Sequence, residues 1–351
     1  MNIAQLTPSP YKVPYSHNPG FWCWIPGSCN VIRVFPTAFD LYRWDDQKLS
    51  SIKRVSFPTF GTPREMTTWV DPIRQYVRAE GVGKNGFFRY QVEVEKGGLA
   101  LRSLKGELSC TIDDETEILQ HKEPFLLHAA HYQKAKSMHS RLDLGINKSP
   151  NWSSVTQRSD ILEIIQHWYH IADPVALAPP SHSLLGAVVQ AVNRCDKEGV
   201  LESIHDFYRA AITDFFVPKK EDDLFLGYDI PPLDENEKNP HGIMVTCISS
   251  LFVQEQGRKI AFLPCLPKSV PSGRLLHKTL SSGHTMDLEW RKGGVRRVRI
   301  RADHDDKLLF SAKPKNCFLR KGSLKAKKFS HLLSTPLEVK AGETYLLDNF
   351  C

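Results

Sequence analysis

The chain of 351 residues carries 46 Lys and Arg against 39 Asp and Glu, a formal net charge of +7, with 41% hydrophobic and 24% charged residues. That composition excludes a disordered or fibrous chain, and the length exceeds what one core usually fills, so two or three packed units are expected. No window approaches eighteen uninterrupted apolar residues and no apolar segment follows a basic start, so neither a membrane span nor an export signal is read, and a cytoplasmic location is expected.

From about Cys29 to Leu127 the chain reads as strands. CNVIRVF, FDLYRW, SIKRVSF, RQYVRAE, FFRYQVEVE, LALRSL, ELSCTI and TEILQ are short and rich in β-branched and aromatic residues, with Gly, Asp-Asp or Lys-Gly-Gly turns between them. A spacing of about ten residues is that of an antiparallel sandwich or barrel. Parallel βαβ units are not expected, because no helix-length periodic segment interrupts the run.

After His128 the period changes. RSDILEIIQHWYHIA opens on Asp160 with Glu163 three residues on, a capping-box pattern, and carries Ile161, Ile164, Ile165 and Trp168 at helical spacing. SLLGAVVQAVNRCDKEGVLESIHDFYRAAITDFFVP predicts two further helices joined near Lys197–Gly199 and ended by Pro218. HGIMVTCISSLFVQEQG predicts a fourth, with Gly257 as its stop. The polar stretch before it, KKEDDLFLGYDIPPLDENEKNP, predicts a long loop.

Strand character returns at Lys259. In FLPCLPKSVPSG (Phe262–Gly273), Pro264 and Pro267 remove backbone donors, so sheet pairing must end and the chain must cross, still buried, to another layer. In HTMDLEWRKGGVRRVRI a three-residue loop at Lys292–Gly294 pairs Leu288 with Val298 and Met286 with Ile300. The same register sets Glu289 opposite Arg297 and Asp287 opposite Arg299. The expected fold is therefore α+β and multi-domain: an N-terminal antiparallel β-sandwich (1–127), a linker and reduced helical region (128–258), and a small C-terminal β-sandwich (259–351).

The last helix, Phe262–Pro267, the Pro-Ser-Gly turn Pro271–Gly273 and the hairpin Asp287–Gly294 together resemble the closing segment of fucosidase-type glycoside hydrolases. The resemblance covers the last third of the chain, from Gly242. It implies a β-sandwich, a toroid of paired helices and a second β-sandwich, in that order, and action on glycans. In overall character the chain also resembles proteins of intracellular bacteria such as chlamydiae. A twelve-helix toroid needs more than about 200 residues at its usual helix length, whereas residues 128–258 leave room for four or five helices. The helical domain is therefore expected to be reduced, and catalysis is left open. In the family a base carboxylate stands just before the last helix in a Q-x-D-G-N context. The corresponding PLDENEKNPHG lacks that motif and offers Asp234, Glu235 and Glu237, and the family's general acid has no counterpart.

Inverting glycoside hydrolysis needs two carboxyl groups roughly 6.5–9.5 Å apart, one of them able to donate a proton. Asp234, Glu237 and Asp143 are the candidate carboxylates. Asp143 belongs to RLDLGINKSPNW, at the change from strands to helices, where pockets form between units. Trp152 and Lys148 from the same stretch are candidate sugar contacts. So are Trp22 and Trp24 of FWCW, which fit either a sugar-stacking platform or a core. The pairs His128/His131 and His167/His170 have helical i, i+3 spacing but no third ligand at readable distance, so no metal is expected, and no cofactor either. No nucleophile elbow or phosphate-binding glycine loop occurs. Eight cysteines without a C-x-x-C pair read as reduced thiols.

The charge is concentrated in one segment. Residues 291–328 hold fourteen Lys and Arg against three acidic residues, +11 in all, and the remainder sums to −4. The second functional reading is thus a non-enzymatic protein that meets an acidic partner or nucleic acid through Arg297, Arg301, Lys327 and Lys328.

Overall fold

The strands expected between Cys29 and Leu127 form two facing sheets in the computed structural model, which describes residues 11–45, 48–58, 61–105, 108–130, 140–145, 150–177, 182–219, 227–228, 239–311, 314–322 and 325–351. They begin with β1 (Tyr15–Ser16), β2 (Phe21–Trp24), β3 (Asn30–Phe35), β4 (Ala38–Asp45), β5 (Lys48–Ser56) and β6 (Met66–Asp71). They continue with β7 (Tyr76–Gly83), β8 (Gly86–Glu95), β9 (Gly98–Lys105), β10 (Leu108–Ile112), β11 (Glu115–Leu119) and β12 (Phe125–Ala129). The sheet orders are β1-β6-β7-β8-β9-β12 and β11-β10-β5-β4-β3-β2, and this closes the choice between barrel and sandwich in favour of the sandwich. Alternation explains the layering. On β8, Phe88, Tyr90, Val92 and Val94 are buried, and Tyr90 meets Phe39 and Phe57 of the opposite sheet at ring distances of 5.9 and 4.7 Å. Between them Arg89 projects the other way and pairs with Glu80 across the ladder at 2.8 Å. Each large apolar side chain buried in this way stabilises by about 1.5–3 kcal/mol.

All eight strands named from sequence are present. Four more, β1, β2, β6 and β12, complete the sandwich, and β12 carries its pairing with β9 to Ala129.

The middle of the chain holds β13 (Arg141–Leu144), α1 (Trp152–Thr156), α2 (Ile161–Trp168), α3 (Leu184–Asn193) and α4 (Gly199–Ala211). It ends with β14 (Ile212–Thr213), β15 (Val217–Pro218) and α5 (Pro240–Phe252). Asp160 caps α2 by accepting from the Leu162 amide, and Glu163 stands in the first turn. Its carboxylate turns to accept from the Asn151 amide at 2.6 Å and so ties α2 to the start of α1. The buried faces of α2 and α5 meet through Trp168, whose indole donates to Nδ1 of His241 at 3.0 Å.

The last helix is shorter than expected. It ends at Phe252, and Val253–Gln256 is a strand, β16, that pairs with β17 (Lys259–Phe262). Gly257, at φ 61°, serves the turn of that hairpin instead of stopping a helix. The remaining strands are β18 (Gly273–Thr279), β19 (Thr285–Arg291), β20 (Gly294–Arg301), β21 (Asp306–Ser311) and β22 (Asn316–Lys321), then β23 (Phe329–Leu332), β24 (Leu337–Val339) and β25 (Thr344–Asp348). They make a sheet β13-β18-β19-β20-β25-β22-β23 and a second one β16-β17-β21-β24. FLPCLPKSVPSG is the crossing between these two sheets, with Cys265, Leu266 and Val270 buried and the Trp290 indole donating to the Val270 carbonyl. Gly273 is required where it stands, since a Cβ there would lie 2.3 Å from the Trp290 ring.

The β19–β20 hairpin has the four predicted partners, Leu288 with Val298, Met286 with Ile300, Glu289 with Arg297 and Asp287 with Arg299. It reaches them differently from the expected three-residue loop. Lys292 and Gly293, both at positive φ, form a two-residue turn, and a bulge between Glu289 and Trp290 restores the register.

The chain is thus α+β and chiefly β, with short helices between two sandwich-like units. Among the described residues no helix is long and apolar enough to cross a membrane.

Candidate functional site

Two short loops build a cleft where the N-terminal sandwich meets the helices. After α4 the segment Thr213–Phe216 lies along β2: the Phe215 amide donates to the Trp22 carbonyl at 3.2 Å, and the Trp24 amide donates to the Phe215 carbonyl at 3.0 Å. Asp214 and Phe216 are held at φ 41° and 53°, a left-handed conformation that side chains other than glycine rarely adopt. Burial of Phe215 and Phe216 holds the loop against that strain and leaves Asp214 at the cleft wall.

Trp152, at the start of α1, stands beside it. Asn151 caps this helix by accepting from the Ser153 amide, and the half-buried Trp152 ring packs 5.1 Å from Phe215 and edge-on to His167 at 5.6 Å. Arg158 follows the helix at φ 55° and donates to the carbonyls of Arg209 and Ile212 at 2.9 and 2.8 Å. That contact satisfies the last turn of α4 and fixes the guanidinium over the Tyr208 ring.

The opposite wall comes from Lys12, Val13, Tyr15–Asn18 and Phe21. It is anchored by β1, which pairs Tyr15 with Trp69 of β6, and by a 3.0 Å hydrogen bond between His17 Nδ1 and Thr67 Oγ1. The cavity between the walls measures about 710 Å³ and is open on one side. That volume suits a small organic ligand. Burial raises the Asp214 carboxyl above its ordinary range, against the pull of Arg158 and Arg33, and burial likewise raises the Tyr208 phenol. Among the described lining residues Asp214 is the one carboxylate, so two carboxyl groups flanking a scissile bond are not assembled from them.

Of the residues singled out from sequence, Trp152 lines the cleft. Trp22 does not: its ring packs half-buried against Tyr42 and Arg33 on the sandwich. Trp24 is fully buried, 4.3 Å from the His241 ring, because α5 closes over that end of β2; it is core and not a sugar platform. Asp143 is no cleft acid either. Its strand β13 is the edge of the C-terminal sheet, where the carboxylate is 1% exposed and accepts from Arg141 Nε at 3.1 Å. Asp234, Glu237 and Lys148 lie outside the described residues. Asp214, Arg158 and His17 were missed. Their signal is weak in sequence, since TDFF reads as the tail of a helix and positive φ has no mark in the residues Asp and Phe.

The histidine pair His167/His170 is committed to the core. Nδ1 of His167 is hydrogen-bonded to the Tyr11 hydroxyl at 2.8 Å, and Nε2 of His170 accepts from the Leu142 amide at 3.2 Å. Burial depresses His167 and His241 to about 3.

On the basic C-terminal sheet four arginines are matched with acids. Arg299 pairs with Asp287, Arg297 and Arg296 face Glu289 at 3.7 and 2.9 Å, and Arg320 pairs with Asp348 at 2.8 Å. Arg301 is exposed at the end of β20, and Lys327 and Lys328 lie over the rings of Phe329 and Phe318. Neither a protein-family model nor a curated protein matches this sequence.

Proposed function

We propose that the cleft binds a glycan and that the protein acts by recognition. The observation that carries the reading is the juxtaposition of a half-buried indole, Trp152, with Asn151, Arg158 and Asp214 along one wall. A pyranose has an apolar face that stacks on a flat ring and a rim of hydroxyls that needs fixed donors and acceptors. Arg158 is already immobilised by two carbonyls and Asp214 by its strained loop, so binding orders little further. The resemblance of the C-terminal third to glycan-acting enzymes points the same way. Recognition is preferred to hydrolysis because Asp214 has no second carboxylate opposite it among the described lining residues. The polyanion reading draws no support from Arg297, which faces Glu289.

The test is a thermal-shift screen of the full chain against neutral and acidic oligosaccharides at millimolar concentration. At least one sugar is expected to raise the melting midpoint, and Asp214→Asn is expected to fold normally and lose that rise. A flat response to the whole panel overturns the proposal.

A further inference from the structure

Outside the cleft and sharing no lining residue with it, two loops of the C-terminal unit bring together two imidazoles and a carboxylate. The tight β18–β19 turn, in which the Leu280 amide donates to the His284 carbonyl at 2.8 Å, delivers His284. The β20–β21 loop delivers His304 and Asp306. One ligand atom from each lies within 4.8 Å of the others, and the two imidazole rings stand 4.4 Å apart at 32°.

From this geometry we propose that His284, His304 and Asp306 bind a divalent transition-metal ion. Two imidazoles and one carboxylate are the donor set such ions prefer over alkali or alkaline-earth ions. The separate observation is Nε2 of His284. This ring is fully buried, and its Nε2 faces Oδ2 of Asp306 at 3.5 Å, a long His–carboxylate pair that falls short of a normal hydrogen bond. A pair this long is weak, and an ion seated between Nε2 and Oδ2 would hold both atoms by direct ligation. Oδ1 of Asp306 is engaged by the Lys307 amide at 2.7 Å, which leaves Oδ2 for the ion and orients it.

A cavity of about 390 Å³ adjoins the cluster and is lined by His304, Asp305, Asp306, Glu255 and Arg258 among others. It leaves room for water or a further ligand to complete the coordination. Asp305 and Glu255 add negative charge there, offset in part by Arg258, whose Nε is 3.7 Å from Oδ1 of Asp306. Ligand atoms up to 4.8 Å apart must draw closer, and both contributing segments are turns at the surface.

One internal contact has to change. Nδ1 of His284 accepts from the Asp303 amide at 3.1 Å, which puts the ring proton on Nε2. Ligation through Nε2 releases that proton to water and Nδ1 takes one up, with no net change, so the Asp303 amide must turn away. The Asp303 amide is therefore a built-in reporter of occupancy.

The experiment is equilibrium dialysis of the full chain against zinc or cobalt(II), in a Cys351→Ser background because that thiol is exposed and would bind metal by itself. One ion per chain is expected. His304→Ala and Asp306→Asn should each lower affinity at least about tenfold, as loss of a ligand does. His304 is exposed and the Asp306 side chain is 10% exposed, and an unchanged far-ultraviolet spectrum checks that the variants fold. In the parent, the Asp303 amide resonance should move on addition of metal. No binding, binding undiminished in both variants, or a still Asp303 resonance on saturation would overturn the site.

Discussion

The cleft and the C-terminal sheet both hold partly or fully buried acids beside arginines, yet they use them in opposite ways. On the sheet, Asp143, Asp287, Glu289 and Asp348 sit across from or beside Arg141, Arg299, Arg297 and Arg320, and the charges are consumed by register. In the cleft, Arg158 spends its donors on backbone carbonyls, and Asp214 faces a cavity from a strained loop. Burial of an acid therefore does not mark a site. What separates the two regions is whether the neighbouring cation is already its partner.

The largest effect that can test this contrast is on the sheet. Asp287→Ala strands Arg299, whose side chain is only 16% exposed, and takes the acceptor from the His277 amide. Removing one partner of such a pair costs about 3–5 kcal/mol, to be read from chemical denaturation, and it should leave ligand affinity in the cleft unchanged. A loss below about 1 kcal/mol would match a surface pair and erase the distinction.

A second effect comes from the core behind the cleft. His167 and His241 are held neutral by burial, down from 6.5 to about 3. The unfolded chain takes up these protons first as the medium is acidified, so stability present above the unfolded value is lost as pH falls. At about pH 5 each histidine should cost about 2 kcal/mol. Denaturation midpoints measured at neutral pH and at about pH 5 give the size directly, and equal midpoints would contradict the burial argument.

Smaller effects belong to the cleft itself. Asp214→Asn should change stability by less than about 0.5 kcal/mol and weaken glycan binding about tenfold, the worth of a hydrogen bond to a charged group. Because burial raises Asp214, binding should fall as pH drops through a midpoint above its ordinary 3.8, and Asp214→Asn should abolish that dependence. Smallest of all is the exposed basic rim. Lys328→Glu should move stability by no more than about 0.5 kcal/mol and leave the cleft untouched.

Much of this architecture was legible in the residues. Eight N-terminal strands, the Asp160 cap and the pairing of Leu288 with Val298 follow from alternation and spacing alone, because a one-residue slip would expose a whole apolar face. The end of α5 was not legible, since LFVQEQG fits a helix until β17 offers Val253 a partner. Trp152 was legible as a junction residue, whereas Trp24 differs from Trp22 only in what α5 covers. Asp214 became visible only through its backbone, which pairing of Phe215 with β2 imposes from more than a hundred residues away. The meeting of His284 with Asp306 likewise depends on two turns whose approach the sheet sets.

Glycan recognition at the junction makes a residue-resolved claim, and the seven tryptophans provide seven indole signals with which to check it. The decisive measurement is a nitrogen-15 correlation spectrum recorded while an oligosaccharide that shifts the melting midpoint is titrated in. The account predicts that the Trp152 indole resonance moves with saturation while those of the buried Trp24, Trp168 and Trp290 stay in place. A still Trp152 signal at saturating sugar, or movement confined to Trp22 or Trp69, would contradict it.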